Sequence, residues 1–125
     1  MKSNFLIFVA IVSIAYGLAN VLAPAWVNEM HGVASSPGTS LLSRYFGASL
    51  LGLGVMAWLA RNAADSDALM AFMRGGLVIG VVGLVVSGHA LSTGLMNNLG
   101  WVPVIIQALL SLGFATFSFV ERETR

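Results

Sequence analysis

The side chains best suited to chemistry in this sequence are a few polar groups set in or beside long apolar runs. Arg44 opens one apolar run, and Glu29 lies in the stretch before it. Asn20 and Tyr16 lie near the end of the first run, and Gln107 lies inside the last. A guanidinium close to amide, phenol and carboxylate groups can bind a small polar or anionic ligand. No catalytic motif or phosphate-binding loop accompanies them, so we predict no catalytic residue and disfavour an enzyme.

The histidines and the absence of cysteine bear on metal and redox chemistry. Without cysteine the chain has no disulfide, no thiol redox chemistry and no thiolate metal ligand. His31, His89 and Glu29 would form a metal site only if the loop with His31 folded back over the helix that carries His89, and their spacing does not favour this. We therefore expect no metal and no cofactor. In an enzyme, Glu29 or His89 would be the acid–base group.

The composition indicates that most of the chain lies in lipid. Of its 125 residues, 58% are apolar and 9% are charged, whereas soluble domains have about 45–50% and about 25%. A soluble domain of this length has too little interior to hide so much apolar surface. The net charge of +1 includes no basic stripe and argues against nucleic-acid binding. The lipid bilayer is therefore the expected main partner.

Four segments are long enough to cross a bilayer core of about 30 Å as helices. They cover about residues 4–23, 41–60, 69–91 and 99–120, and none shows the alternation of a strand. Short links between successive spans give antiparallel neighbours. We therefore predict an all-α membrane protein, with residues 1–125 forming one domain of four transmembrane helices in an up-down-up-down antiparallel bundle. The first run is longer than the apolar region of a typical cleaved signal peptide.

The connections carry helix-boundary signals. In the outer loop, residues 24–40, the stretch AWVNEM predicts a short interfacial helix that ends at Gly32. Pro37-Gly38 indicates a turn, after which Thr39 or Ser40 caps the second span. Asp65 or Ser66 is the expected cap of the third span.

Basic residues predict the orientation in the membrane. One side has five of them and the other has only Arg44, and the more basic side faces the cytoplasm. We therefore expect a multi-pass protein of the bacterial inner membrane with both termini in the cytoplasm. The five residues are Lys2, Arg61, Arg74, Arg122 and Arg125.

Each span carries a stripe of mostly small residues, which lets membrane helices approach closely. Arg44 lies on one stripe, so we expect it to point into the bundle. Gly76-x-x-x-Gly80 is also compatible with a dimer contact. The stripes are Ala10, Ser13, Gly17 and Asn20; Arg44, Gly47, Leu51 and Gly54; Gly76, Gly80, Gly83 and Ser87; and Ala108, Ser111, Ala115 and Ser118.

The polar cluster has two interpretations. In the structural one, an Arg44–Glu29 ion pair ties the outer loop to the bundle, and Asn20 and Gln107 form hydrogen bonds between or within helices. In the functional one, these groups and Tyr16 line an outward-facing pocket.

Three motifs carry a family resemblance. They are Arg44-Tyr45-Phe46-Gly47 with the later LLGLGVMAWLAR, APAW after the first span, and GLMNNLGWVPV before the fourth. With these motifs the chain resembles small uncharacterised bacterial four-helix membrane proteins, broadly the DoxX-like group. The resemblance implies a compact four-helix bundle. Some relatives have respiratory or redox roles, but this chain has no cysteine or haem-ligand arrangement for them.

Two functions are compatible with these features. The favoured one is a non-enzymatic accessory or scaffold subunit of a larger membrane assembly, whose partners are other membrane subunits or further copies of the chain. The alternative is a binder or carrier of a small lipophilic or anionic ligand at the Arg44 pocket.

Overall fold

Helices make up almost all of the structure, a computed structural model that describes residues 1–120. Residues 1–120 contain no β-strand. A 3₁₀ turn, Asn98–Gly100, precedes the last α-helix, and a π-helical turn, Thr116–Val120, follows it. The α-helices are α1 (Lys2–Leu22), α2 (Pro24–Met30), α3 (Pro37–Ala60), α4 (Asp67–Ser92) and α5 (Trp101–Ala115).

Four helical segments are long and apolar enough to cross a membrane. They are Lys2–Leu22, Pro37–Ala60, Asp67–Ser92 and Asn98–Phe119. The prediction of an all-α chain with four membrane-length helices is therefore confirmed. The short helix α2 occupies the predicted place in the first connection and ends before Gly32, whose φ of 76° suits glycine. The single domain and the packing of all four spans in one bundle stay predictions.

The start of α3 differs from the prediction. The capping residue is Ser36 and not Thr39 or Ser40, so the helix begins at Pro37. Ser36 Oγ accepts a hydrogen bond from the Thr39 N–H at 3.1 Å, and Thr39 Oγ1 accepts one from the Ser36 N–H at 2.8 Å. Proline suits a first helical position because its φ is already helical and its missing N–H has no partner to lose. Pro37-Gly38 therefore belongs to the first turn of the helix.

The start of α4 agrees with one of the two predicted caps. Ser66 Oγ accepts a hydrogen bond from the Leu69 N–H at 3.1 Å. This bond satisfies one of the N–H groups that the first turn of any helix leaves open.

The chain divides into two compact units, Met1–Asn62 and Ala63–Arg125. In the first unit, α1 and α3 pack antiparallel through small residues. A Cβ added at Gly47 would lie 2.7 Å from the carbonyl oxygen of Gly17, and one added at Gly54 would lie 3.1 Å from that of Ala10. The two backbones are thus in direct contact. The four residues of the predicted α1 stripe are all buried.

In the second unit, α4 and α5 also pack antiparallel. Here the glycines lie on α4, and the side chains that face them lie on α5. Gly76 of α4 faces the ring of Phe114, and Gly80 faces Ser111. Phe114 is almost fully buried and meets Phe72 edge-on, with ring centroids 6.3 Å apart. Ser111 of the predicted α5 stripe faces α4, and Ser118 is fully buried, while the larger side chains of Phe114 and Gln107 contact Gly76 and Gly83 beside that stripe. Side chains of the same chain therefore occupy the space beside Gly76 and Gly80.

Candidate functional site

Arg44 lies on α3, seven residues after its first residue, and its side chain is exposed. Arg44 is thus not buried between α1 and α3, and its place facing the interior of a four-helix bundle stays a prediction. Helix α1 ends at Leu22, so little of it remains to cover Arg44, and Gly47 makes the contact with Asn20 instead. Arg44 Nε donates a hydrogen bond to the Val21 carbonyl oxygen at 3.3 Å. That oxygen is among the last four of α1, which have no partner inside the helix.

Glu29 does not form the predicted ion pair with Arg44. It is exposed on α2, and no oxygen of its carboxylate lies within ion-pair distance of Arg44. The side-chain hydrogen bond between α2 and α3 is formed instead by the residue before Glu29 and the residue before Arg44. Ser43 Oγ donates to Asn28 Oδ1 at 3.0 Å. The loop is thus held to α3 by a neutral hydrogen bond instead of by opposite charges.

Asn28 also has a group that is not satisfied. Its Nδ2 is buried and has no hydrogen-bond acceptor among residues 1–120. Buried polar groups without a partner are uncommon in folded proteins. If the amide were turned over, Nδ2 would donate to Ser43 and the oxygen would be left without a donor. In either orientation of the amide, one polar atom of the Asn28 side chain has no hydrogen-bond partner among residues 1–120.

Asn20 and Tyr16 are brought together, but within one helix. The Asn20 side chain is buried, and its Nδ2 donates to the backbone oxygen of Tyr16 at 2.9 Å. Tyr16 is half-buried. The amide thus closes a local bond along α1, and its Cβ packs against the open face of Gly47. These contacts place Asn20 in the helix–helix packing of the first unit.

Gln107 lies on α5, in the second unit, and its amide faces Gly83 of α4. Its Oε1 is buried and has no hydrogen-bond partner in the described part of the chain. The hydrogen bond within α5 uses the backbone of Gln107 and not its side chain, because Ser111 Oγ donates to the backbone oxygen of Gln107 at 2.8 Å. A buried carbonyl oxygen without a hydrogen-bond donor destabilises the folded protein by about 1–3 kcal/mol.

Asn28 and Ser43 carry no sequence signal for a site, and His31 is predicted only to lie in the outer loop. In the structure His31 is buried, and its Nδ1 lies 2.8 Å from the Val27 carbonyl oxygen, one turn earlier. The sequence feature that indicates this contact is the position of His31 four residues after Val27, one helical turn away. Within residues 1–120, no group of three or more histidine, aspartate or glutamate side chains could hold a metal ion.

Two arginines near the other ends of the spans contact aromatic rings. The guanidinium carbon of Arg61 lies 4.0 Å from the Trp58 ring centroid, and that of Arg74 lies 5.5 Å from the Phe119 ring centroid. Both distances are within the range of cation–π attraction. The first contact holds Arg61 against its own helix, α3, and the second joins α4 to the π-helical turn after α5.

Comparison of the chain with protein-family models, with curated proteins and with solved structures finds no match. The resemblance to DoxX-like proteins therefore stays a prediction that rests on the sequence motifs.

Proposed function

We propose that the chain is a small non-enzymatic subunit that serves as an accessory or scaffold part of a larger membrane assembly. Its partners in this proposal are other membrane subunits or further copies of the chain. The assembly lies in the bacterial inner membrane with both chain termini in the cytoplasm, as the distribution of basic residues favours. The resemblance to DoxX-like proteins supports the same location.

The observation that carries the proposal is an open pair of small residues on α3. Ala48 and Gly52 are exposed on successive turns, and a Cβ added at Gly52 would meet no atom within 4 Å. The contacts with α1 use the opposite face of α3, through Gly47 and Gly54. Glycine inside a helix is about 1 kcal/mol less favourable than alanine, and in membranes it allows close approach of a second helix. Gly52 therefore offers a groove that suits a helix of another subunit.

Exposed apolar area alone would not distinguish a protein partner from lipid. Within residues 1–120, only 17% to 33% of the most apolar window of each span is buried, so most residues of each span keep some exposed surface. Acyl chains can cover such a surface as well as a protein can. The distinguishing feature is the pair of small exposed residues Ala48 and Gly52 on successive turns of α3, which leaves a groove that a second helix fills better than lipid does.

The test is the mass of the protein after gentle extraction. We expect the full chain, extracted in mild detergent and measured by native mass spectrometry, to form a complex with itself or with a second polypeptide. Gly52→Leu fills the groove and should release the single chain. Gly88→Leu is the matched control, because a Cβ at Gly88 also meets no atom within 4 Å, and it should leave the complex intact. A wild-type chain that is monomeric and free of other polypeptides would overturn the proposal.

A further inference from the structure

Two nitrogens of the Arg44 guanidinium have no partner in the described chain. Nε bonds to the Val21 carbonyl oxygen, whereas Nη1 and Nη2 make no hydrogen bond or ion pair with any of residues 1–120. Arginine keeps its charge at all physiological pH values. An exposed cation on a membrane-spanning helix requires water or an anion beside it.

The depth of Arg44 fits the boundary between headgroups and acyl chains. Helix α3 has 24 residues and is about 36 Å long, compared with about 30 Å for the hydrocarbon core. Arg44 lies seven residues after Pro37, which is about 10 Å along the axis. If α3 is centred in the bilayer, its Cα lies about 7 Å below the headgroup region, a depth from which the side chain can extend back to the boundary.

The surroundings of Arg44 leave its charge uncompensated and provide apolar surface beside it. Leu41 and Tyr45 are 53% and 66% exposed, and Ala48 on the next turn is also exposed. Glu29 does not pair with the guanidinium. A ligand at this place therefore needs a negative group at the headgroup level and apolar chains below it.

We infer that Arg44 binds the phosphate of an anionic phospholipid in the leaflet where α3 begins. Nη1 and Nη2 form a fork that matches two oxygens of one phosphate. The bond from Nε to Val21 holds the guanidinium against the end of α1 and so orients this fork. An anionic headgroup is preferred to a zwitterionic one, because the latter brings its own cation to compete for the phosphate.

The lipid and the helix groove of the proposed function occupy different depths. Gly52 lies eight residues beyond Arg44, about 12 Å deeper along α3. Helices that cross at a glycine diverge toward their ends, which leaves room for a lipid beside Arg44. The inference therefore does not depend on the proposed function, and it applies equally to the monomeric Gly52→Leu variant.

The experiment measures lipid binding to the full chain in detergent by native mass spectrometry and by the shift of the melting temperature. We expect phosphatidylglycerol to bind several-fold more tightly than phosphatidylcholine, and diacylglycerol, which lacks phosphate, to bind no better than detergent. Arg44→Gln should weaken phosphatidylglycerol binding about tenfold, as expected for loss of a charge-assisted contact. An Arg44→Gln variant that binds phosphatidylglycerol as well as the wild type does would overturn the inference.

Three further measurements separate a lipid phosphate site from a general effect of charge and from a free-anion site. Arg44→Lys keeps the charge and should fold, but a single ammonium cannot replace the fork, so its binding should lie between those of the wild type and Arg44→Gln. Glu29→Gln combined with Arg44→Gln restores the original net charge, and regained binding in this double variant would show an effect of overall charge and not of a site. Inorganic phosphate that stabilises the chain as strongly as the lipid does would replace the lipid site with a free-anion site.

Discussion

The neighbouring glycines Gly75 and Gly76 of α4 offer a test of the packing in the second unit. A Cβ added at Gly76 would lie 2.5 Å from Cε1 and 2.7 Å from Cε2 of Phe114, whereas a Cβ added at Gly75 would meet no atom within 4 Å. Phe114 is almost fully buried against Phe72, so its ring has little space to move aside.

The two alanine substitutions should therefore change the stability by different amounts. Each gains about 1 kcal/mol of helix propensity, but overpacking of a filled site loses typically about 1–3 kcal/mol. We expect Gly75→Ala to be neutral or stabilising by up to about 1 kcal/mol. We expect Gly76→Ala to be less stable than Gly75→Ala by about 1–3 kcal/mol. Because the helix-propensity gain is common to both variants, the difference isolates the contact with Phe114.

The assay is reversible unfolding of the full chain in mixed micelles by added denaturing detergent, followed by circular dichroism. Phe114→Leu removes the ring edge that the new methyl group meets, so the double variant Gly76→Ala/Phe114→Leu should show a favourable coupling energy of about 0.5–3 kcal/mol. Equal stabilities of Gly75→Ala and Gly76→Ala, or the absence of coupling, would refute the antiparallel α4–α5 register in which Gly76 faces Phe114.

Three further predictions use the same unfolding assay. Gly83→Ala should destabilise less than Gly76→Ala does, because the atoms in its way are the amide of Gln107 at the end of a flexible side chain; an equal loss would contradict this. Gln107→Leu should be stabilising by about 1 kcal/mol, since it removes a buried oxygen that lacks a donor among residues 1–120, and a loss of stability would reveal a partner for that oxygen. Ser36→Ala should lose about 1 kcal/mol with the cap of α3, while Ser35→Ala, outside the cap, is its control.

The helices could be predicted from the sequence because their determinants are local. Length and apolar content predicted the four spans, and the spacing of Ala10, Ser13, Gly17 and Asn20 predicted the buried face of α1. The cap of α3 was misplaced because Pro37-Gly38 is a turn signal in most contexts. Only the reciprocal bonds between Ser36 and Thr39 make it a first helical turn.

The polar cluster could be predicted less well because it depends on where neighbouring helices end. Glu29 and Arg44 carry opposite charges on the same predicted side of the membrane, yet Asn28 and Ser43 make the contact. A shift of one residue turns a helical side chain by about 100°, so the pairing requires the rotation of α2 against α3, which local patterns do not contain. The exposure of Arg44 likewise follows from the end of α1 at Leu22.

The π-helical turn Thr116–Val120 has a consequence for the register of the last span. Thr116 Oγ1 still donates to the carbonyl oxygen four residues earlier, at 2.8 Å, but the fully buried hydroxyl of Ser118 has no partner among residues 1–120. A π turn accommodates one residue more than an α turn. Deleting a single residue here would let the α-helix continue without interruption and would turn Ser118 and Phe119 to new directions. The burial of Ser118 and the exposure of Phe119 thus depend on a single peptide unit.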